Sequence, residues 1–117
     1  MTPGARQEIR AASLVGGILV SPVSAWEVGL LSARRRIPFR PDPKTWFQRF
    51  MAYPGVRLTP LSPDIAIESS YLPQPLHSDP ADRLLIATAR ALQIPIITRD
   101  SHILSYAGAG FVAAIPC

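Results

Sequence analysis

Apolar positions along the chain come in short runs, and their spacing switches between helical and extended. Proline marks most of the breaks. Among the prolines that directly follow a residue able to cap a helix, four are taken as helix starts, in Thr2-Pro3, Asp42-Pro43, Ser62-Pro63 and Asp79-Pro80. Each pair predicts a helix start: the first residue's oxygen accepts a free N–H, and proline at the first helical position has no N–H to satisfy. Helices are thus predicted over 3–12, from 43, over 63–71 and over 80–92. Ser24 opens a further one through 33, and a short one surrounds 102–106. Extended apolar segments at 18–21, 94–98 and 111–114 read as strands, and 56–59 as a short strand or an extended link. The helix from 43 carries Trp46, Phe47, Phe50 and Met51, one, three and four positions apart, hence a single apolar stripe. The helix over 80–92 has little polar surface and is expected to be well buried. The run 94–98 is continuously apolar, as in a parallel strand covered on both faces. Residues 72–76, with Pro73 and Pro75, form a stiff extended loop. Helices alternating with short strands predict an α/β architecture with a mostly parallel sheet. Without repeats or low-complexity stretches, residues 1–117 read as one domain.

Composition narrows the partners. Hydrophobic residues make up 48% of the chain, enough for a globular core. The longest mostly apolar stretch, 11–20, is too short and glycine-rich to span a bilayer. Met1-Thr2-Pro3-Gly4 lacks the basic start and apolar run of a secretory leader. The single cysteine, Cys117, excludes an internal disulfide and fits a reducing cytosol. Twelve Lys plus Arg against eight Asp plus Glu give +4, and eleven of the twelve are Arg. Guanidinium forks donate two parallel hydrogen bonds to phosphate, so nucleic acid or an acidic protein is indicated. The densest group, Arg34-Arg35-Arg36 with Arg40 nearby, reads equally as a solvated helix end or a phosphate contact. A nucleotide fold is disfavoured, since Val15-Gly16-Gly17 lacks a phosphate-loop spacing.

In parallel sheets, sites form beyond the carboxyl ends of the strands. Three acids occupy such places: Glu27 on the first turn of the helix after 18–21, Asp82 in the first turn of the buried helix, and Asp100 just beyond 94–98. Each also has a structural explanation. Ser24-Ala25-Trp26-Glu27 reads as a capping box, Asp82 favours the helix dipole, and Asp100 is placed to cap the next helix. Capping and ligation are compatible, because a carboxylate has two oxygens.

The surroundings of these acids resemble the PIN-domain family, specifically its VapC-type toxins. The matching stretches are Ser21-Pro22-Val23-Ser24-Ala25-Trp26-Glu27-Val28, then His77-Ser78-Asp79-Pro80-Ala81-Asp82-Arg83-Leu84-Leu85-Ile86-Ala87-Thr88-Ala89, then Ile96-Ile97-Thr98-Arg99-Asp100. Leu72-Pro73 and Tyr106 also fit. The resemblance implies a parallel sheet flanked by helices, and a metal-dependent endoribonuclease toxin that hydrolyses RNA phosphodiesters. Its implied cofactor is Mg²⁺ or Mn²⁺, held by Glu27, Asp82 and Asp100, and hard cations of this kind take oxygen ligands. Asp79 is expected chiefly to cap its helix, with an outer role at the site. Thr98 and Arg99 are implied as supporting or substrate-contacting groups. Arg83 is expected to be structural, and His77 to bond neighbouring backbone. Implied partners are RNA, a VapB-type antitoxin and a second protomer, in the cytoplasm.

One departure from the family matters. Its members normally begin with a short apolar strand ending in Asp, and residue 1 here falls directly at the next helix. Ordinary element lengths put the difference at about fifteen to twenty residues. The expectation is therefore a PIN-like domain lacking its first, central strand and one carboxylate. Two readings stay open: a ribonuclease, or a non-catalytic remnant that binds an antitoxin or another protomer through the face bearing Trp46, Phe47 and Phe50.

Overall fold

The computed structural model describes residues 2–14, 17–74 and 79–117. Its elements run α1 (Pro3–Leu14), β1 (Ile18–Val20), α2 (Pro22–Ala33), α3 (Pro43–Met51), β2 (Val56–Leu58), α4 (Pro63–Glu68), α5 (Pro80–Leu92), β3 (Ile96–Thr98), α6 (Ser101–Gly108) and β4 (Ala114–Pro116). The chain divides into two compact units. The carboxy-side unit joins Met1–Glu8 to Leu61–Cys117, and the amino-side unit is Ile9–Pro60.

All four predicted proline-led caps form. Thr2 Oγ1 accepts the Ala5 N–H at 3.1 Å and donates to the Pro116 carbonyl at 2.8 Å, which ties the start of α1 to the end of β4. Asp42 Oδ1 accepts the Thr45 N–H and Oδ2 the Thr45 hydroxyl, both at 2.8 Å. Ser62 Oγ accepts the Ile65 N–H at 3.3 Å, and Asp79 Oδ1 the Asp82 N–H at 3.0 Å. A cap of this kind contributes about 1 kcal/mol.

Other boundaries differ from expectation. α2 starts at Pro22, not at Ser24, because Ser21 is its cap and accepts the Val23 N–H at 3.1 Å. The Ser24 N–H donates to the Ser21 carbonyl instead, so Ser24 is no cap and the proposed box with Glu27 does not apply. α4 stops at Glu68 rather than 71. There the Ser69 hydroxyl turns back to the Ala66 carbonyl, while Arg83 donates to the Ser69 and Ser70 carbonyls at 2.9 and 3.5 Å. β3 starts at Ile96 because Ile94 still donates to Ala89 of α5 and Pro95 has no N–H. β4 lies at Ala114–Pro116, not 111–114. Gly110 turns the chain at φ +90°, and Phe111 and Val112 spend their side chains on the core before pairing begins.

The strands are parallel and flanked by helices, as expected, but they form two pairs rather than one continuous sheet. Ile18, Leu19 and Val20 face Val56, Arg57 and Leu58 in the amino-side unit. Ile96, Ile97 and Thr98 face Ala114, Ile115 and Pro116 in the carboxy-side unit.

The carboxy-side unit has a core of Ile65, Leu72, Ile86, Ala87, Ile103 and Tyr106, with Ile96, Phe111, Val112 and Ala114 against it. α5 buries Ala81 and the consecutive residues Ile86 to Ala89, whereas Leu84 and Leu85 are only half-buried and Ala91 is exposed. Its burial is thus complete at Ala81 and over 86–89 and partial or absent elsewhere. The Tyr106 hydroxyl donates to the Pro73 carbonyl at 2.7 Å. Burial pushes that phenol above its ordinary pKa.

The amino-side unit is held differently. Its fully buried residues, among those described, are Ser21, Val23 and Thr59. α3 buries none of its residues fully. Its aromatic stripe forms an edge-to-face chain: Trp46 meets Phe39 at 4.9 Å and Phe50 at 5.9 Å, and Phe47 meets Phe50 at 6.1 Å. Such pairs contribute about 0.5–1.5 kcal/mol each beyond the area they bury.

Candidate active site

Two of the three predicted acids lie in the carboxy-side unit. Asp82 is in the first turn of α5, immediately after the Asp79 cap. Asp100 follows β3 and caps α6. α5 packs on β3, and the link between them, 93–95, is short, so the two run antiparallel. The start of α5 and the end of β3 therefore lie at the same end of the pair. Lengths agree: Asp82 to Leu92 spans ~15 Å of helix and Ile94 to Asp100 ~20 Å of extended chain.

Asp100 is held from two sides. The Thr98 hydroxyl accepts its N–H at 3.0 Å, which fixes the turn out of β3. Its own Oδ1 accepts the His102 and Ile103 N–H groups at 2.9 and 3.0 Å. Both bonds fall on Oδ1, so capping does not consume Oδ2. The Thr98 hydroxyl is thus a positioning group for Asp100, and Arg99, between them, is exposed.

Arg83 takes the structural place expected of it. Its guanidinium spans from α5 to the carbonyls that end α4, groups a helix terminus otherwise leaves without partners. Asp79 caps α5, as its Asp-Pro context predicts. His77 lies outside the described residues.

Glu27 lies in the amino-side unit, in the second turn of α2 rather than the first, because that helix begins at Pro22. It is half-buried. The carboxyl ends of β1 and β2 also carry a group that sequence reasoning missed. Thr59 follows β2 and donates its N–H to the Val20 carbonyl at 2.9 Å, which sets it beside Ser21. Its hydroxyl is buried and has no hydrogen-bond partner among the described residues. An orphaned hydroxyl costs about 1–3 kcal/mol. The only sequence signal was its position at a strand end before Pro60.

The carboxylates are oxygen donors of the kind Mg²⁺ or Mn²⁺ takes. Among the described residues, however, no three His, Cys, Asp or Glu side chains stand together closely enough to hold an ion. Asp82 and Asp100 belong to the carboxy-side unit and Glu27 to the amino-side unit, and each acid is placed within its own unit.

Comparison with known proteins supplies the class. Residues 3–109 match the PIN domain family, a span that contains all three acids and crosses both compact units. The chain belongs to the PIN-domain family. It is similar to Ribonuclease VapC22 of Mycobacterium tuberculosis (strain ATCC 25618 / H37Rv), with 29% identity over 89 residues, covering 76% of this chain and 67% of that protein. No solved structure matches the chain. Among the described residues, no helix is long and apolar enough to cross a membrane.

Proposed function

We propose that the chain is a toxin endoribonuclease that hydrolyses RNA phosphodiester bonds, with residues 1–117 acting as one PIN-like domain in the cytoplasm. The observation that carries this reading is the family match over 3–109, a span that contains Glu27, Asp82 and Asp100. The likeness to a VapC ribonuclease supports it. Glu27, Asp82 and Asp100 are the acids assigned to the reaction, and Mg²⁺ or Mn²⁺ is the cofactor the resemblance implies. Asp79 and Thr98 act through their neighbours: Asp79 fixes the first turn of α5 that carries Asp82, and Thr98 fixes Asp100. Arg99, exposed beside Asp100, offers its fork to an RNA phosphate. The proposed protein partners are a VapB-type antitoxin and a second protomer.

The test is cleavage of a single-stranded RNA with Mg²⁺ or Mn²⁺ by the chain and by Asp100→Asn. Asparagine still caps a helix, so the fold is kept while the charge is lost. We expect cleavage by the parent and a loss of about a hundredfold or more in the variant. Equal activity in the variant, or none in the parent, rejects the reading.

A second reading has its own observation. Trp46 is 36% exposed on α3, beside half-buried Phe47 and Phe50, an apolar face fit for a protein partner. On this reading the chain is a non-catalytic remnant that holds an antitoxin or another protomer. Co-purification with a VapB-type antitoxin, without RNA cleavage, selects it.

A further inference from the structure

The segment 34–51, from the end of α2 through α3, carries six cations and one acid. The cations are Arg34, Arg35, Arg36, Arg40, Lys44 and Arg49, and all six are exposed. The acid, Asp42, accepts at both oxygens from Thr45, which holds its carboxyl below the usual range and keeps it ionised. Against six cations its single charge leaves the segment at a net +5.

Helix-end electrostatics explains part of this group and fails for the rest. Arg34 is the C-cap of α2, and Arg35 and Arg36 follow it, where cations complement the carbonyl end of a helix. Arg40 and Lys44 do the opposite. They flank the start of α3, the positive end of its dipole, where a cation is disfavoured. Attraction to the Asp42 carboxylate accounts for part of the placement of Lys44, and a polyanion lying across the segment accounts for both cations.

The aromatic residues specify which polyanion. Phe39 and Trp46 are in edge-to-face contact within the same segment, and Trp46 is 36% exposed. A ring at the surface among guanidinium groups suits unstacked bases, which present their faces to aromatic side chains while the phosphates meet arginine. An acidic protein would meet the same charges and take the rings as an apolar patch, whereas single-stranded RNA stacks bases on them.

We propose that the exposed face of 34–51 is a docking surface for single-stranded RNA, with the six cations on phosphates and Trp46 on a base. The proposal rests on the ribonuclease reading and adds where the substrate strand is held, apart from the assigned acids.

The test measures binding rather than cleavage, in EDTA, with the full chain and a fluorescein-labelled twelve-nucleotide oligouridylate over a series of salt concentrations. Two variants are compared with the parent, Arg34→Gln/Arg36→Gln and Arg40→Gln/Lys44→Gln/Arg49→Gln, so that a folding defect at one helix end cannot mimic the result. Circular dichroism checks both. Each lost phosphate contact lowers the slope of log K against log salt by about 0.7. The expected drops are therefore about 1.4 and about 2, with affinity weakened roughly tenfold or more at low salt. Trp46→Ala is expected to weaken binding without changing the salt slope. Unchanged affinity and slope in both charge variants overturn the proposal, as does tighter binding of poly-L-glutamate than of the oligonucleotide. If both variants lose RNA binding but the parent never cleaves, the nuclease reading fails and the docking surface stands. If the parent cleaves and both variants bind as it does, the reverse holds.

Discussion

The two compact units differ in what holds them and in what they present. The carboxy-side unit has a contiguous apolar core, four arginines and six carboxylates, a net −2. The amino-side unit has eight cations and two carboxylates, a net +6, and is held largely by half-buried aromatic rings. The carboxylates concentrate in the unit with the packed core, where Asp82 and Asp100 are half-buried, and the cations in the unit without one. A carboxylate that must keep a fixed direction needs a rigid support, which a packed core provides. Cations that meet a flexible polyanion gain from exposure and number instead.

This contrast can be broken first at the core. Ile86 is fully buried, and Ile86→Ala is expected to cost about 2–5 kcal/mol in urea unfolding. Phe50→Ala, at a half-buried ring of the amino-side unit, is expected to cost clearly less. Equal costs would mean that both units are core-dominated. Next comes Thr59→Val, which removes the orphaned hydroxyl and should raise stability by about 1 kcal/mol. A loss of melting temperature would show that the hydroxyl has a partner in solution.

Tyr106→Phe gives up the bond to Pro73 and should cost about 1 kcal/mol at neutral pH. The pH dependence is also signed. Burial disfavours the phenolate, so the folded state holds its proton more tightly than the unfolded one. Stability from this group is complete below the ordinary phenol pKa and declines as pH rises toward the raised folded value. Alkaline melting curves of Tyr106→Phe should lack that decline. The smallest effect is expected at exposed Asp42. Hydrogen bonds from Thr45 lower its pKa, so its contribution is complete above the ordinary carboxylate range and lost as pH falls through the depressed folded value. Asp42→Asn caps without titrating and should flatten the acid limb of the stability profile slightly.

What the sequence revealed and what it hid divide by range. The caps at Thr2, Asp42, Ser62 and Asp79 were legible because each acts on an N–H three residues away. Ser21-Pro22 carried the same cap-and-proline pattern as the other four starts and was passed over for the Ser24 to Glu27 spacing, three residues on. The early stop of α4 depends on Arg83, more than a dozen residues later, and no local signal encodes it. β4 was misplaced because Phe111 and Val112 are apolar for the core's sake rather than for pairing. The acids were found by their contexts. Whether they converge is a question of tertiary placement, which no local pattern encodes.

The turn at Asp100 has a consequence for binding thermodynamics. Its backbone is fastened by the Thr98 hydroxyl and its carboxylate by two amides of α6. The rotamer freedom of that side chain is therefore given up when the protein folds, not when a ligand arrives. Whatever meets Oδ2 encounters a preorganised acceptor, and the entropy of ordering is already spent in the apo protein.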